Sequence, residues 1–220
     1  MKKLIVFDWN GTLLSDTNAC MDADNHVLKA FGGKVVNLKT YRNTIIIPAI
    51  DFYVQHGCSR NEIQQKSQKL NEIFHSFYEQ RAAKCRTRQG AKELLQWLSR
   101  HSIKSIILSN HTVIGINNQL ERLGLKKFVS EIVANSSLDN SLKKRNKKEK
   151  LAQYLKTHKY NPKDVFIIGD SPEETESGKE LGVGTVAITN GYYSESRLRA
   201  AKPDHLIHSL NEFKKIIKKS

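Results

Sequence analysis

The chain has 220 residues, 39% of them hydrophobic, which suffices for one domain with a real core and a modest insertion. Its longest apolar runs, such as Leu4 to Phe7 and Ile103 to Leu108, are too short to cross a bilayer, and Asp8 interrupts the first where a signal peptide would continue; a cytoplasmic protein with no membrane partner is expected. The formal net charge of +14 attracts anions of any kind, but the lysine runs "LKKRNKKEK" (Leu142 to Lys150) and "KKIIKKS" carry no interleaved aromatic rings, so they read as solvated faces and nucleic acid is not the favoured partner.

Short apolar runs ending in turns alternate with helical patterns along the chain: Leu4 to Phe7, Ser105 to Leu108, Glu131 to Ala134, Val165 to Ile168 and Thr185 to Ile188. That alternation predicts an α/β fold, a Rossmann-like parallel sheet sandwiched by helices. The interval between Phe7 and Ser105 is far longer than one crossover helix needs. Its patterns are helical: "ACMDADNHVLKAFG" closes on Gly32 and Gly33, and "NEIQQKSQKLNEIFHSFYEQRAAK" repeats Ile63, Leu70, Ile73, Phe74 and Phe77 at helical spacing. Residues 16–85 are therefore expected to form a small α-helical cap, with residues 1–15 and 86–220 forming the α/β core domain. Cys20, Cys58 and Cys85 are odd in number and widely spaced, which predicts free thiols rather than a disulfide framework or zinc cluster.

Ligands of such sheets gather at the carboxyl ends of the strands. The polar residues at or just beyond those ends are Asp8, Ser109 with Asn110, Asp170 and Asn190. An aspartate at a strand end can attack phosphorus and split hydrolysis into formation and breakdown of an aspartyl phosphate. A carboxylate approaching a phosphate dianion needs a divalent cation, and Mg²⁺ takes one or two carboxylates with water and substrate. Asp170, in "FIIGDSPEETESG", supplies a second carboxylate, Ser109 can donate to a phosphoryl oxygen, and a lysine can balance charge.

The motifs "FDWNGTLL" (Phe7 to Leu14), "IILSN" (Ile106 to Asn110), a lysine, and "VFIIGDSPEETESGKELGV" (Val165 to Val183), in that order, resemble the haloacid dehalogenase superfamily. The cap's position between the first two motifs is similar to the phosphoglycolate-phosphatase-like branch. The resemblance implies a Mg²⁺-dependent phosphatase acting on a small phosphorylated metabolite. It makes Asp8 the nucleophile and a metal ligand, the Asn10 carbonyl another ligand and Asp170 a third. Ser109 and Asn110 would bind the phosphoryl group. Glu174 stands where the family usually has Asp and is carried as a direct or outer-sphere metal residue. Counting back from Pro162 selects Lys147 as the motif-three lysine, with Lys148 next and Lys143, Lys144 and Lys150 read as solvated.

Asn10 departs from the pattern, because phosphatases of this superfamily place there the Asp that protonates the leaving oxygen and activates water. Three readings follow: a phosphatase whose leaving groups need little protonation or that recruits another residue; a nonstandard hydrolase or phosphotransferase; and a noncatalytic binding protein using its basic surface for RNA or a protein partner. His111 is a candidate substitute proton donor, against its reading as a polar helix-start residue. In the cap, Arg42 is a candidate clamp for a substrate carboxylate or second phosphate, against its reading as an exposed arginine. Trp9 is expected either at the entrance or packed against the cap.

Overall fold

The computed structural model describes residues 3–136 and 146–218; Lys143 and Lys144 lie outside the described residues. The structure is organised around β1 (Leu4–Phe7), whose four side chains are all buried, as a parallel strand covered on both faces requires. Its two neighbours, β2 (Lys104–Thr112) and β4 (Val165–Gly169), run parallel to it. With β3 (Glu131–Asn135), β5 (Gly184–Ile188) and β6 (His205–Ile207) they form a six-stranded parallel sheet in the order β3-β2-β1-β4-β5-β6. The α/β, Rossmann-like expectation is borne out. The order reverses at β1, which opens a crevice beyond the carboxyl ends of β1 and β4.

Alternation along β1 assigns each side chain to a face. Ile5 and Phe7 join Ile107 and Ile168 under α6 (Ala91–Arg100), α7 (Val113–Arg122) and α11 (Leu210–Ile217). Leu4 and Val6 join Ile106, Leu108 and Ile167 under α8 (Lys147–His158), and α9 (Pro172–Leu181) covers the same side through Leu181. Trp9 continues the Ile5–Phe7 side. It is fully buried in that cluster, and its Nε1 donates to Gln119 of α7 at 2.5 Å. The indole therefore neither walls the entrance nor packs on the inserted helices: two-residue periodicity past the strand end turns it inward while Asp8 faces the crevice.

Between β1 and β2 lie α1 (Thr17–Ala30), α2 (Leu38–Thr44), α3 (Ala49–Gln55), α4 (Arg60–Gln65) and α5 (Ser67–Ala82). Leu28, Tyr41, Phe52, Ile63 and Leu70 from these helices share an apolar cluster that also takes in Tyr193 and Leu198 from α10 (Glu195–Ala200) and the loop before it. The long helical pattern from Asn61 to Lys84 is two helices, broken at Lys66. Gln64 to Lys69 are all exposed and contain no apolar residue, so an interruption there forfeits little packing.

Ile107 is fully buried and lies between Phe7 of β1 and Ile132 of β3. Ile107→Ala should lower the unfolding free energy by about 2–5 kcal/mol, as for other buried large-to-small changes. Urea unfolding followed by circular dichroism measures it, and a loss under about 1 kcal/mol would contradict this packing.

Candidate active site

Asp8 follows β1 and Asp170 follows β4, so adjacent parallel strands deliver two carboxylates to the crevice. The space around Asp170 is made by glycines: a Cβ at Gly11, where φ is +72°, or at Gly191 would collide with its carboxylate. Asp170 accepts from the Tyr192 amide at 2.5 Å and the Thr12 hydroxyl at 3.2 Å. Burial, reinforced by the charge of Glu174, pushes its carboxyl up to about 6.

Lys147 opens α8 and is buried; its ammonium donates to Asp8 Oδ1 at 2.6 Å and to Glu174 Oε1. Burial works against that charge, but Asp8 and Glu174 outweigh it and hold the ammonium protonated well above its usual range. Burial likewise drives Asp8 up, opposed by Lys147 and reinforced by Glu174 and Asp170. Lys148, the alternative, is exposed and paired with Glu180 at 2.7 Å. Lys150, read as solvated, is half-buried and bonds Asn135 Oδ1 at 2.6 Å.

Glu174 is the third helical residue of α9 and closes a capping box: its Oε2 accepts from the Ser171 amide at 3.0 Å and hydroxyl at 2.6 Å. Its other oxygen holds Lys147, so both are engaged by the protein. Ser109 and Asn110 stand in an irregular part of β2, which resumes pairing with β3 at Thr112 after a register shift. The Ser109 hydroxyl oxygen accepts from the His111 amide at 3.1 Å, which leaves its hydrogen to donate. Asn110 donates to Glu173 at 3.2 Å, while its own Oδ1 is buried without a partner.

A cavity of about 200 Å³ joins these groups, lined by Asp8, Asn10, Ser109, Asn110, Lys147, Asp170 and Glu174 together with side chains of the inserted helices. Arg42 does not line it. Its guanidinium donates to the carbonyls of Gly191 and Asn190, both at 2.9 Å, tying α2 to the loop after β5.

The profile described as haloacid dehalogenase-like hydrolase matches residues 5–188. The chain belongs to the haloacid dehalogenase-like hydrolases. Among curated proteins it is 22% identical to a phosphoglycolate phosphatase of Vibrio parahaemolyticus, over 98% of this chain and 96% of that protein. It is 23% identical to a phosphoglycolate phosphatase of Synechococcus elongatus, over 93% and 92%. Among solved structures, one described as a predicted phosphatase from Clostridium acetobutylicum superposes with a TM-score of 0.83 at 18% identity, covering 100% of both chains. A haloacid dehalogenase-like hydrolase from Streptococcus pneumoniae gives 0.80 at 22%, covering 98% of both.

Within this haloacid dehalogenase-like chain Asn10 has a specific environment. Its amide nitrogen donates both hydrogens, to Asp16 Oδ2 and to the Tyr78 hydroxyl, each at 2.7 Å. Asp16, fully buried, also accepts from the Gly11 amide, Tyr78 and Tyr192, all at 2.8 Å. His111 stands in the cavity wall, one residue before the Thr112 N-cap of α7. Its Nδ1 accepts from the Thr112 amide at 2.6 Å, so the neutral ring carries its hydrogen on Nε2, which is buried without a partner. Burial lowers its pKa and favours that neutral form.

The residues that sequence reasoning missed are Asp16, Asp24, Tyr78, Tyr192 and Arg88. Arg88 donates to the carbonyls of Gly11 and Thr189, each at 2.6 Å, and nothing in "RTRQG" separates it from Arg86. Asp24 of α1 is buried in the cavity wall, accepting from Tyr53 at 2.6 Å, Tyr41 at 2.7 Å and more distantly the Cys20 thiol at 3.8 Å. All three cysteines are free, as expected.

Burial raises the Asp24 carboxyl from 3.8 to about 6 against the pull of these hydroxyls. Between those values the folded chain binds more protons than the unfolded one, so this group's contribution to stability falls as pH rises through that window. Asp24→Asn should therefore gain on the native protein between about pH 4 and 6 and hold a constant offset above it. Urea titrations at fixed pH values read this directly; a flat difference would mean that Asp24 does not titrate in this window.

Proposed function

We propose that the protein is a Mg²⁺-dependent phosphatase of small phosphate monoesters, with residues 16–85 forming a cap over a core built from residues 1–15 and 86–220. We place it in the cytoplasm; among the described residues no helix is long and apolar enough to cross a membrane. The observation that carries the reading is Asp8, buried at the end of β1 with Lys147 at 2.6 Å and Asp170 on the adjacent strand end.

The donor set fits a hard divalent cation. Asp8 and Asp170 are both raised by burial and neighbouring carboxylates, which Lys147, joined by Arg88 at Asp170, only partly offsets. Asp8 and Asp170 would hold the ion together with the Asn10 carbonyl, with water and substrate completing its ligands. Bound there, Mg²⁺ would neutralise phosphoryl charge and keep Asp8 ionised. Glu174, with both oxygens engaged, positions Lys147 and would act on the cation from outside its ligand shell.

Asp8 attacks phosphorus as the bond to the leaving oxygen breaks, and water then releases inorganic phosphate and restores the carboxylate. Ser109 and the Asn110 backbone hold the phosphoryl oxygens, and Lys147 offsets charge on nucleophile and transferred group. Asn10, with both amide hydrogens committed, delivers no proton to the departing oxygen. The reading accordingly favours leaving groups that depart with little protonation. The inserted helices supply much of the cavity wall around these groups.

Purified protein should hydrolyse an aryl phosphate with Mg²⁺, and Asp8→Asn should abolish turnover. If no phosphate ester is cleaved and Asp8→Asn changes nothing, a noncatalytic binding role replaces this one. Asn10→Asp places a carboxyl 2.7 Å from Asp16 Oδ2. Two carboxyls sharing a site keep one protonated, so this variant should raise turnover of alkyl esters by about 10- to 100-fold, and of aryl esters less. An equal effect on both would remove the leaving-group explanation.

A further inference from the structure

We propose that the cavity accepts phosphate monoesters whose alcohol bears an organic ammonium group, received by Asp24 and the aromatic rings around it; this rests on the phosphatase reading and names its substrate class. The charge inventory is the first observation. Asp8, Asp24, Asp170 and Glu174 line the cavity, and Lys147 is the one Lys or Arg among the described lining residues. Lys147 is already held by Asp8 and Glu174, and Arg42, the other candidate cation, is bound to backbone carbonyls outside the cavity. Among the described lining residues no Lys or Arg is left to meet a substrate carboxylate.

The environment of Asp24 is the second. Among the described residues its donors are two tyrosine hydroxyls and a distant thiol, all neutral, and no Lys or Arg pairs with it. A buried carboxylate satisfied only by neutral donors keeps a desolvation cost, which its raised pKa reflects and which an ammonium ion in the cavity would relieve. The wall beside it is aromatic: Tyr41, Tyr53, Phe74, Tyr78, Tyr192 and Tyr193. Rings of this kind with a carboxylate attract organic ammonium ions.

Asn10 supplies the third. An ammonium group close to the ester oxygen withdraws electron density and stabilises the departing alkoxide. Such an ester depends less on the proton that the committed Asn10 amide withholds.

The test compares kcat/KM with Mg²⁺ for phosphocholine, its uncharged isostere 3,3-dimethylbutyl phosphate, and phosphoglycolate. Phosphocholine should exceed both by about tenfold or more. In Asp24→Asn the phosphocholine-to-isostere ratio should fall by about threefold or more towards the leaving-group advantage alone, whereas a purely structural role for Asp24 would slow both esters alike and leave the ratio in place. A wild-type ratio near unity, a preference for phosphoglycolate, or a ratio unmoved by Asp24→Asn overturns the proposal. Should Asp24→Asn fail to fold, calorimetric binding of choline and of 3,3-dimethylbutanol to the native protein decides, since binding carries no leaving-group effect: tighter choline binding supports the proposal, and equal or absent binding overturns it. p-Nitrophenyl phosphate is the control: its cleavage without an ammonium preference ends this proposal and leaves the phosphatase reading intact. If every ester is inert, calorimetric binding of phosphocholine and the isostere with Mg²⁺ replaces turnover; tighter phosphocholine binding supports the proposal, and equal or absent binding overturns it.

Discussion

The buried ion cluster of Lys147 with Asp8 and Glu174 constrains much of the rest of the structure. Three carboxylates, counting Asp170, crowd the ends of two adjacent strands around one ammonium, and removing such charges from water is costly unless each is paired or hydrogen-bonded. The surrounding chain meets that need in detail. Ser171 and the start of α9 occupy one Glu174 oxygen, the Tyr192 amide and Thr12 hold Asp170, and glycines at 11 and 191 leave room for its carboxylate. Even so, more negative than positive charge remains buried, which is unfavourable for folding and suited to binding a cation and a phosphoryl group.

A second carboxylate, Asp16, governs how the inserted helices meet the core. It precedes α1 and gathers hydrogen bonds from Asn10 and Gly11 after β1, Tyr78 on α5, and Tyr192 after β5. That convergence gives a physical reason for an amide at position 10. A carboxylate there would face Asp16 across a hydrogen-bond distance, whereas the amide donates to both Asp16 and Tyr78. The chemistry available to the leaving group and the attachment of the inserted helices are therefore coupled through one side chain.

The fold was legible because its signals are local. The short apolar runs mark the strands, β1 was bounded correctly although β2 runs on past Leu108 to Thr112, and the long helical interval marked the insertion. Lys147 was separable from Lys148 by spacing before burial distinguished them. Trp9 was not readable, because its partner Gln119 lies 110 positions away. Asp16 and Tyr78 meet across 62 positions, and Asp16 and Tyr192 across 176. Asp24 looked like an ordinary polar residue of an amphipathic helix; only tertiary packing against Tyr41 and Tyr53 makes it a buried carboxylate. Arg42 failed in the opposite sense: its planar fork suits a carboxylate, but the fold presents two backbone carbonyls first.

The two buried carboxylates of the inserted region differ in what they leave available. Asp16 has four hydrogen-bond donors and does not line the cavity, so its charge is consumed in joining elements. Asp24 lines the cavity, receives only neutral donors, and resists ionisation because it is buried. A group in that state gains more from an arriving cation than one already saturated, since part of its desolvation cost is still uncompensated. Position within the wall, rather than charge alone, therefore separates a structural carboxylate from one able to select a ligand.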